Sequence, residues 1–248
     1  MKILINGLYG HMGREVARLA LQGYRGAELT AGADVNPGTE FSVPCATDIH
    51  DAATNVDCVI DFSHHSCTAA LLDFCLRNRL PLVLATTGQT EDERAAIAAA
   101  AEQIPLFFAA NYSLGIALLI ELAKKTAAAM PEAEIEIIEK HHDRKLDAPS
   151  GTALAIARAI AEVRPAATPN CGRSGQGKRT PEEIGIHAIR MGNIVGEHEV
   201  IIGTQNQTLT LKHEAHSRAL FAEGALAAAE FLCGKPAGLY DMNSLISF

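Results

Sequence analysis

The chain has 248 residues, 48% hydrophobic and 20% charged, so it can bury a substantial core and is neither disordered nor fibrous. With 21 Lys and Arg against 29 Asp and Glu, its net charge is -8, which excludes a general attraction to nucleic acid or to an anionic membrane surface. An anionic ligand must then be held by a local cluster of donors.

KILIN opens the chain as a short apolar strand, and REVARLALQ follows with helical spacing. Between them NGLYGHMGRE places Gly7, Gly10 and Gly13 in a G-x-x-G-x-x-G pattern, with Leu8, Tyr9, His11 and Met12 in the same loop. A glycine at a strand end permits a tight turn, and small residues let the backbone approach a pyrophosphate at the helix N-terminus. The usual G-x-G-x-x-G would have glycine at Tyr9. AELTAGAD reads as the second strand, and Asp34 closes it about 20 residues beyond the loop, where a carboxylate can accept from an adenosine ribose. Val35 follows in place of a cation that would neutralise a 2′-phosphate, so the expected coenzyme is NADH or NADPH with a lean to NADH. VDCVIDF, PLVLATT and PLFFAAN are three further strands, separated by the helical runs CTAALLDFCLRN and EDERAAIAAAAEQ. This alternation predicts an α/β fold with a Rossmann-type doubly wound parallel sheet. Ala85, Thr86 and Thr87, and Ala109, Ala110, Asn111 and Tyr112, stand at strand ends, where such sheets bind ligands.

The pattern changes after Asn111. SLGIALLIELAKKTAAAM is a long helix, EAEIEIIEK alternates as a strand with one wet face, and TALAIARAIAEV is helical again. CGRSGQGKRTPEE reads as a loop. IGIHAIRM, NIVGEHEVIIGT and QTLTLKHEA are strand-like runs suited to antiparallel pairing, and HSRALFAEGALAAAEFLCG is a helix before the tail GLYDMNSLISF. A second, α+β domain with an open mixed sheet is therefore expected.

The densest chemistry lies in EKHHDRKLDAPSGTA, Glu139 to Ala153. Ser150 or Thr152 can cap the following helix and Gly151 bares its backbone N–H groups, an arrangement matched to a carboxylate. His141, His142 and Lys145 stand just before it; lysine can deliver a proton to nitrogen, and histidine exchanges protons near neutrality. Glu139, Asp143 and Asp147 would favour their protonated forms if brought close. A dinucleotide domain beside a proton donor and a carboxylate-binding helix end suits reduction of a carboxylated imine. None of Tyr9, Tyr24, Tyr112 or Tyr240 has Lys four residues on, which argues against a Tyr-x-x-x-Lys dehydrogenase. No H-E-x-x-H or Cys/His ligand spacing occurs despite His187, His198, His213 and His216, so no metal is expected. The six cysteines are scattered without C-x-x-C spacing and read as reduced thiols of a cytoplasmic protein; no signal peptide or membrane-spanning run is visible.

The run HH-x-x-K-x-DAPSGTA is similar to the signature of the bacterial dihydrodipicolinate reductase (4-hydroxy-tetrahydrodipicolinate reductase) family of lysine and diaminopimelate biosynthesis, and the resemblance covers nearly the whole chain, through NGLYGHMGR, DFSHHS, ATTG, AANYSLG, IRMGNIVGEHEV and HSRALFAEGA. It implies His141 as catalytic proton donor and acceptor, Lys145 as donor to the ring nitrogen, and His142, Ser150, Gly151 and Thr152, with Arg218 as helper, as holders of the substrate carboxylates. It also implies a nucleotide domain 1–112 completed by 217–248, a substrate and oligomerisation domain 113–216, a small-molecule dicarboxylate partner and a homotetramer built through the second domain's open sheet. Departures from the family pattern are the short connection VRPAATPNCGRSG, His11 and Val35 where arginines are common, and Tyr112 for a common phenylalanine. Two other readings remain at this stage: an aspartate dehydrogenase-like oxidoreductase, and a nucleotide-binding redox sensor without catalysis.

Overall fold

A computed structural model describes residues 1–246; Ser247 and Phe248, the end of the tail segment, lie outside the described residues. In chain order the elements are β1 (Lys2–Asn6), α1 (His11–Leu21), β2 (Glu28–Ala33), β3 (Cys45–Ala46), β4 (Cys58–Asp61), α2 (Thr68–Asn78), β5 (Leu82–Leu84), α3 (Glu91–Ala101) and β6 (Pro105–Phe108). There follow α4 (Leu114–Ala129), β7 (Glu134–His141), α5 (Gly151–Val163), β8 (Thr168–Cys171), β9 (Glu183–Arg190), β10 (Gly196–Thr204), β11 (Gln207–Ala215), α6 (Ala219–Leu232) and β12 (Gly238–Tyr240). The chain divides into two compact units, Met1–Leu114 with the C-terminal stretch from Ala219, and Gly115–Arg218.

The first unit holds a parallel sheet in the order β12-β6-β5-β4-β1-β2-β3. Its central strands are nearly continuous apolar runs because helices cover both faces. One face packs Leu4, Val59, Leu82 and Leu106 under Phe74 of α2 and Ile97 of α3. On the other lie α1 and α6, in contact with each other. The small side chains of α6 allow that approach: Ala225, Ala228 and Ala229 are fully buried, and a Cβ at Gly224 would sit 1.7 Å from the Tyr112 carbonyl oxygen. The strand order reverses beside β1, where β2 and β4 flank it, and such a switch point opens a crevice at the carboxyl ends of the strands.

The second unit holds a mixed sheet, β11-β10-β7-β9-β8. β7 buries every second residue, as its alternation predicts, with Ile135, Ile137, Glu139 and His141 inward. Ile116 and Leu119 of α4 and Ile156 and Ile160 of α5 cover that face. Among the described residues the antiparallel pairs of this sheet are β10 with β7 and β10 with β11. IGIHAIRM, expected as an antiparallel partner, instead runs parallel to β7 as β9. The helix α5 returns the chain to lay down β8, and the loop 172–182 returns it again before β9, so β8, β9 and β7 run in one direction, as strands joined by crossovers rather than tight hairpins do. Part of the connection expected as irregular forms β8 on the outer edge of β9.

All six cysteines are free: Cys58 and Cys75 are buried, Cys45 and Cys67 half-buried, and Cys171 and Cys233 exposed. No described helix is long and apolar enough to cross a membrane.

Candidate active site

Local geometry in the first unit fits a dinucleotide at the switch point. Gly7 has φ +79°, and a Cβ there would meet the Phe62 carbonyl oxygen at 2.8 Å; a Cβ at Gly13 would meet the Gly7 carbonyl oxygen at 2.0 Å. Glycine is therefore required at both places for the turn and the close approach of α1. Gly10 is the N-cap of α1 without any side-chain cap, so the helix start presents bare amides. Tyr9, at the position where glycine is usual, turns its ring away onto Phe41 (centroids 5.6 Å apart) while its N–H donates to Asp34 Oδ2 at 2.8 Å. Asp34 Oδ1 accepts from the Asn36 N–H at 2.9 Å, so the carboxylate forms this turn and still has lone pairs to spare. Leu8 is fully buried against Gly32 and has only its backbone to offer a ligand, whereas His11 is exposed.

A cavity of about 490 Å³ lies along these strand ends, lined by residues that include Asn6, Gly7, Gly10, Asp34, Val35, Asp48, Ser63 and His64. A second, of about 250 Å³, is lined by Met12, Phe62, Ala85, Ala110, Asn111, Tyr112 and Phe221. Ala109 is half-buried and Thr87 exposed beside them. Thr86 is buried and donates to Asp61 Oδ2 at 2.6 Å; Asn6 Nδ2 and Ser63 Oγ donate to Asp61 Oδ1 at 2.8 and 2.6 Å. Asp61 thus ties together the ends of β1, β4 and β5. Burial pushes its carboxyl above the usual range, against hydrogen bonds from Ser63, Thr86 and Asn6. Tyr112 donates its hydroxyl to the Leu84 and Phe107 carbonyls at 2.9 and 3.2 Å, and burial pushes that phenol well up.

The second unit gathers the ionisable run around Glu139. This carboxylate is fully buried on β7, two residues before His141 and therefore on the same face. Its Oε2 lies 2.6 Å from His141 Nδ1. Arg190 of β9 donates to both oxygens, at 2.8 and 2.7 Å, and the Ser150 N–H donates to Oε1 at 3.0 Å. Burial alone would raise this carboxyl; the bonds from His141, Arg190 and Ser150 outweigh it and hold it down to about 2. Ser150 caps α5, its Oγ accepting from the Ala153 N–H at 3.2 Å. Around Gly151 there is open space where a Cβ would stand, and Thr152 follows half-buried. Lys145 Nζ rests on Asp147 Oδ1 at 2.8 Å, while Asp143 is spent on exposed Arg144. Burial first, then the charges of Arg144 and Arg218, push the His142 imidazole below its usual range, the signature of a locally cationic patch.

Two residues outside the expected set, Arg190 and His198, complete this cluster. Arg190 stands in register with His141 across the β7–β9 pair. His198 of β10 is buried, lies edge-on to His141 with centroids 5.2 Å apart, and reaches Ser150 Oγ at 3.1 Å; burial and the His141 charge push it down to about 4. Glu139 was legible in part, since period two on a strand puts it beside His141. Arg190 and His198 carry no local signal, because strand pairing alone brings them in. In the first unit, Asp48 was missed for the same reason. Among the described residues no group of three or more His, Cys, Asp or Glu is placed to hold a metal ion.

Family models described as dihydrodipicolinate reductase, N-terminus, and dihydrodipicolinate reductase, C-terminus, match residues 1–112 and 115–246. The chain is 44% identical to a 4-hydroxy-tetrahydrodipicolinate reductase of Caldanaerobacter subterraneus subsp. tengcongensis, over 99% of this chain and 98% of that one. It is 40% identical to the protein of the same name from Clostridium tetani, over 100% and 97%. Among solved structures, a dipicolinate-bound dihydrodipicolinate reductase from a Paenisporosarcina species superposes with a TM-score of 0.83 at 26% identity, covering 98% of each chain.

Proposed function

The chain belongs to the dihydrodipicolinate reductase family, and from that premise we propose that it reduces 4-hydroxy-tetrahydrodipicolinate, by way of dihydrodipicolinate, to tetrahydrodipicolinate with a nicotinamide coenzyme. One observation carries the reading: the Glu139 carboxylate holds both the His141 ring and the Ser150 amide, so a proton carrier and an anion-ready helix start share a single brace. The first unit's glycine loop and Asp34 would hold a nicotinamide coenzyme, which would supply hydride to a ring carbon. The chain's own residues manage charge. Ser150, Gly151 and Thr152 offer donors to the substrate carboxylates, with His142 and Arg218 adding a donor and a positive charge. Lys145 delivers a proton to the ring nitrogen, and His141 exchanges protons with the site.

NADH is the favoured coenzyme. Asp34 and Asp48 both line the larger cavity, and none of its described lining residues is Lys or Arg. The arginines of α1, Arg14 and Arg18, are paired with Glu40 at 2.8 and 3.2 Å. A 2′-phosphate would therefore meet carboxylates without a compensating cation. We further read the chain as a homotetramer formed through the face of the second sheet that α4 and α5 leave open. The half-buried Ile138 and Ile201 and the 40%-exposed Ile189 on that face support this reading.

The decisive experiment follows nicotinamide absorbance with enzymatically generated hydroxy-tetrahydrodipicolinate, separately with NADH and NADPH. Substrate-dependent oxidation with a higher kcat/KM for NADH is the expected result. Tight NADH binding without oxidation of either coenzyme would overturn the reaction.

A further inference from the structure

A buried carboxylate needs a reason, because burial without partners is costly. Glu139 has four donors for its four acceptor positions: His141 Nδ1, the two Arg190 nitrogens and the Ser150 amide. Since the carboxylate only accepts, the shared proton at 2.6 Å belongs to Nδ1 of His141, and Nε2 is left as the atom that exchanges. Opposite Nε2 stands Gly196, where a Cβ would approach to 3.1 Å; the missing side chain keeps that nitrogen reachable. Arg190 has a second role, as its Nη2 also donates to the Asp147 carbonyl at 2.6 Å, and the Asp147 side chain holds Lys145.

From this geometry we infer that Glu139 and Arg190 form a positioning pair for the proposed reaction, fixing His141 as the Nδ1–H tautomer and anchoring the loop of Lys145 and the start of α5 to the same point. The pair also balances charge. Glu139 alone would stabilise an imidazolium at His141; Arg190, bonded to both carboxylate oxygens, offsets it. His198 of β10 also faces the His141 ring and is kept neutral near pH 7 by burial, while Arg144, Arg218 and Lys145 act on the adjacent His142. Removing either member of the pair should therefore move the proton chemistry in opposite directions, which a merely structural role would not do.

The inference rests on the reading of His141 as proton carrier, and its test separates the two. Heteronuclear NMR of the histidine ring nitrogens in the whole wild-type protein reads the tautomer without any turnover. The Nδ1–H form is expected at His141; the Nε2–H form would overturn the pairing, however the variants behave. In steady-state work, Glu139→Gln should lower kcat on the order of 10⁴-fold, as loss of a tautomer-fixing carboxylate does elsewhere, and move the alkaline limb of the pH–rate profile down. Arg190→Met should move that limb up, by about one pH unit, or a tenfold change in proton affinity, with Arg190→Lys restoring part of it. Limbs that stay put or move the same way in both variants would sink the charge balance. Wild-type protein showing the expected tautomer without turning over the substrate would remove the proposed reaction and leave the positioning pair standing.

Discussion

At the scale of single residues, the site is built from side chains whose alternatives are closed off. Lys145 has Asp147 beside it, which anchors its ammonium, and the cations Arg144 and Arg218 act on its neighbour His142. Lys145→Ala should lower kcat by about 10²- to 10⁴-fold, the range for loss of a general acid, while coenzyme affinity measured by fluorescence titration stays within about twofold. Unchanged turnover would remove Lys145 from the chemistry. Tyr9 shows how a departure from a glycine motif is absorbed: its ring packs on Phe41, and its amide, the part the loop needs, remains on Asp34.

At the scale of elements, two helix starts make a controlled comparison. Thr90 caps α3 in a full capping box with Glu93, far in the chain from the second unit's residues. Ser150 caps α5, and its hydroxyl also meets buried His198. Thr90→Ala should cost about 1 kcal/mol in denaturant titrations and leave kcat and substrate KM alone. Ser150→Ala should cost the same cap plus about 1–3 kcal/mol for an orphaned buried imidazole nitrogen, and should raise substrate KM. Equal effects of the two variants on KM would take the α5 start out of substrate binding.

At the scale of the molecule, the first unit is discontinuous: its sheet takes β12 as an edge strand, and α6 supplies a wall of fully buried alanines and leucines. A chain stopped at Arg218 should therefore lose the cooperative unfolding of that unit, read by near-UV circular dichroism and calorimetry; retention of a native-like transition would contradict this packing. The second unit should be acid-labile in two successive windows. His198 has a folded value of about 4 against the ordinary 6.5, so the folded state binds its proton more weakly and stability falls as pH drops from 6.5 towards 4. Glu139, held at about 2 against 4.5, contributes stability that is complete above 4.5 and lost as pH falls through 2. His198→Gln should flatten the upper window in denaturation curves measured at a series of pH values and leave the lower one; an unaltered upper window would place the acid sensitivity elsewhere.

Much of this was written locally in the chain. The order of strands and helices, the parallel sheet, the glycine loop, the inward face of β7 and the cap of α5 all follow from periodicity, glycine placement and capping chemistry, which act over a few residues. Asp34, Gly7 and Ser150 were legible for that reason, and so was the cluster from His141 to Thr152. Tertiary structure alone decided which strands are neighbours. It set β9 parallel to β7, brought Arg190 across from His141, set His198 edge-on to the same ring and added Asp48 to the cavity at the first unit's strand ends. These contacts depend on strand register between segments dozens of residues apart, and register is fixed by how whole faces bury, a property no short stretch of sequence contains.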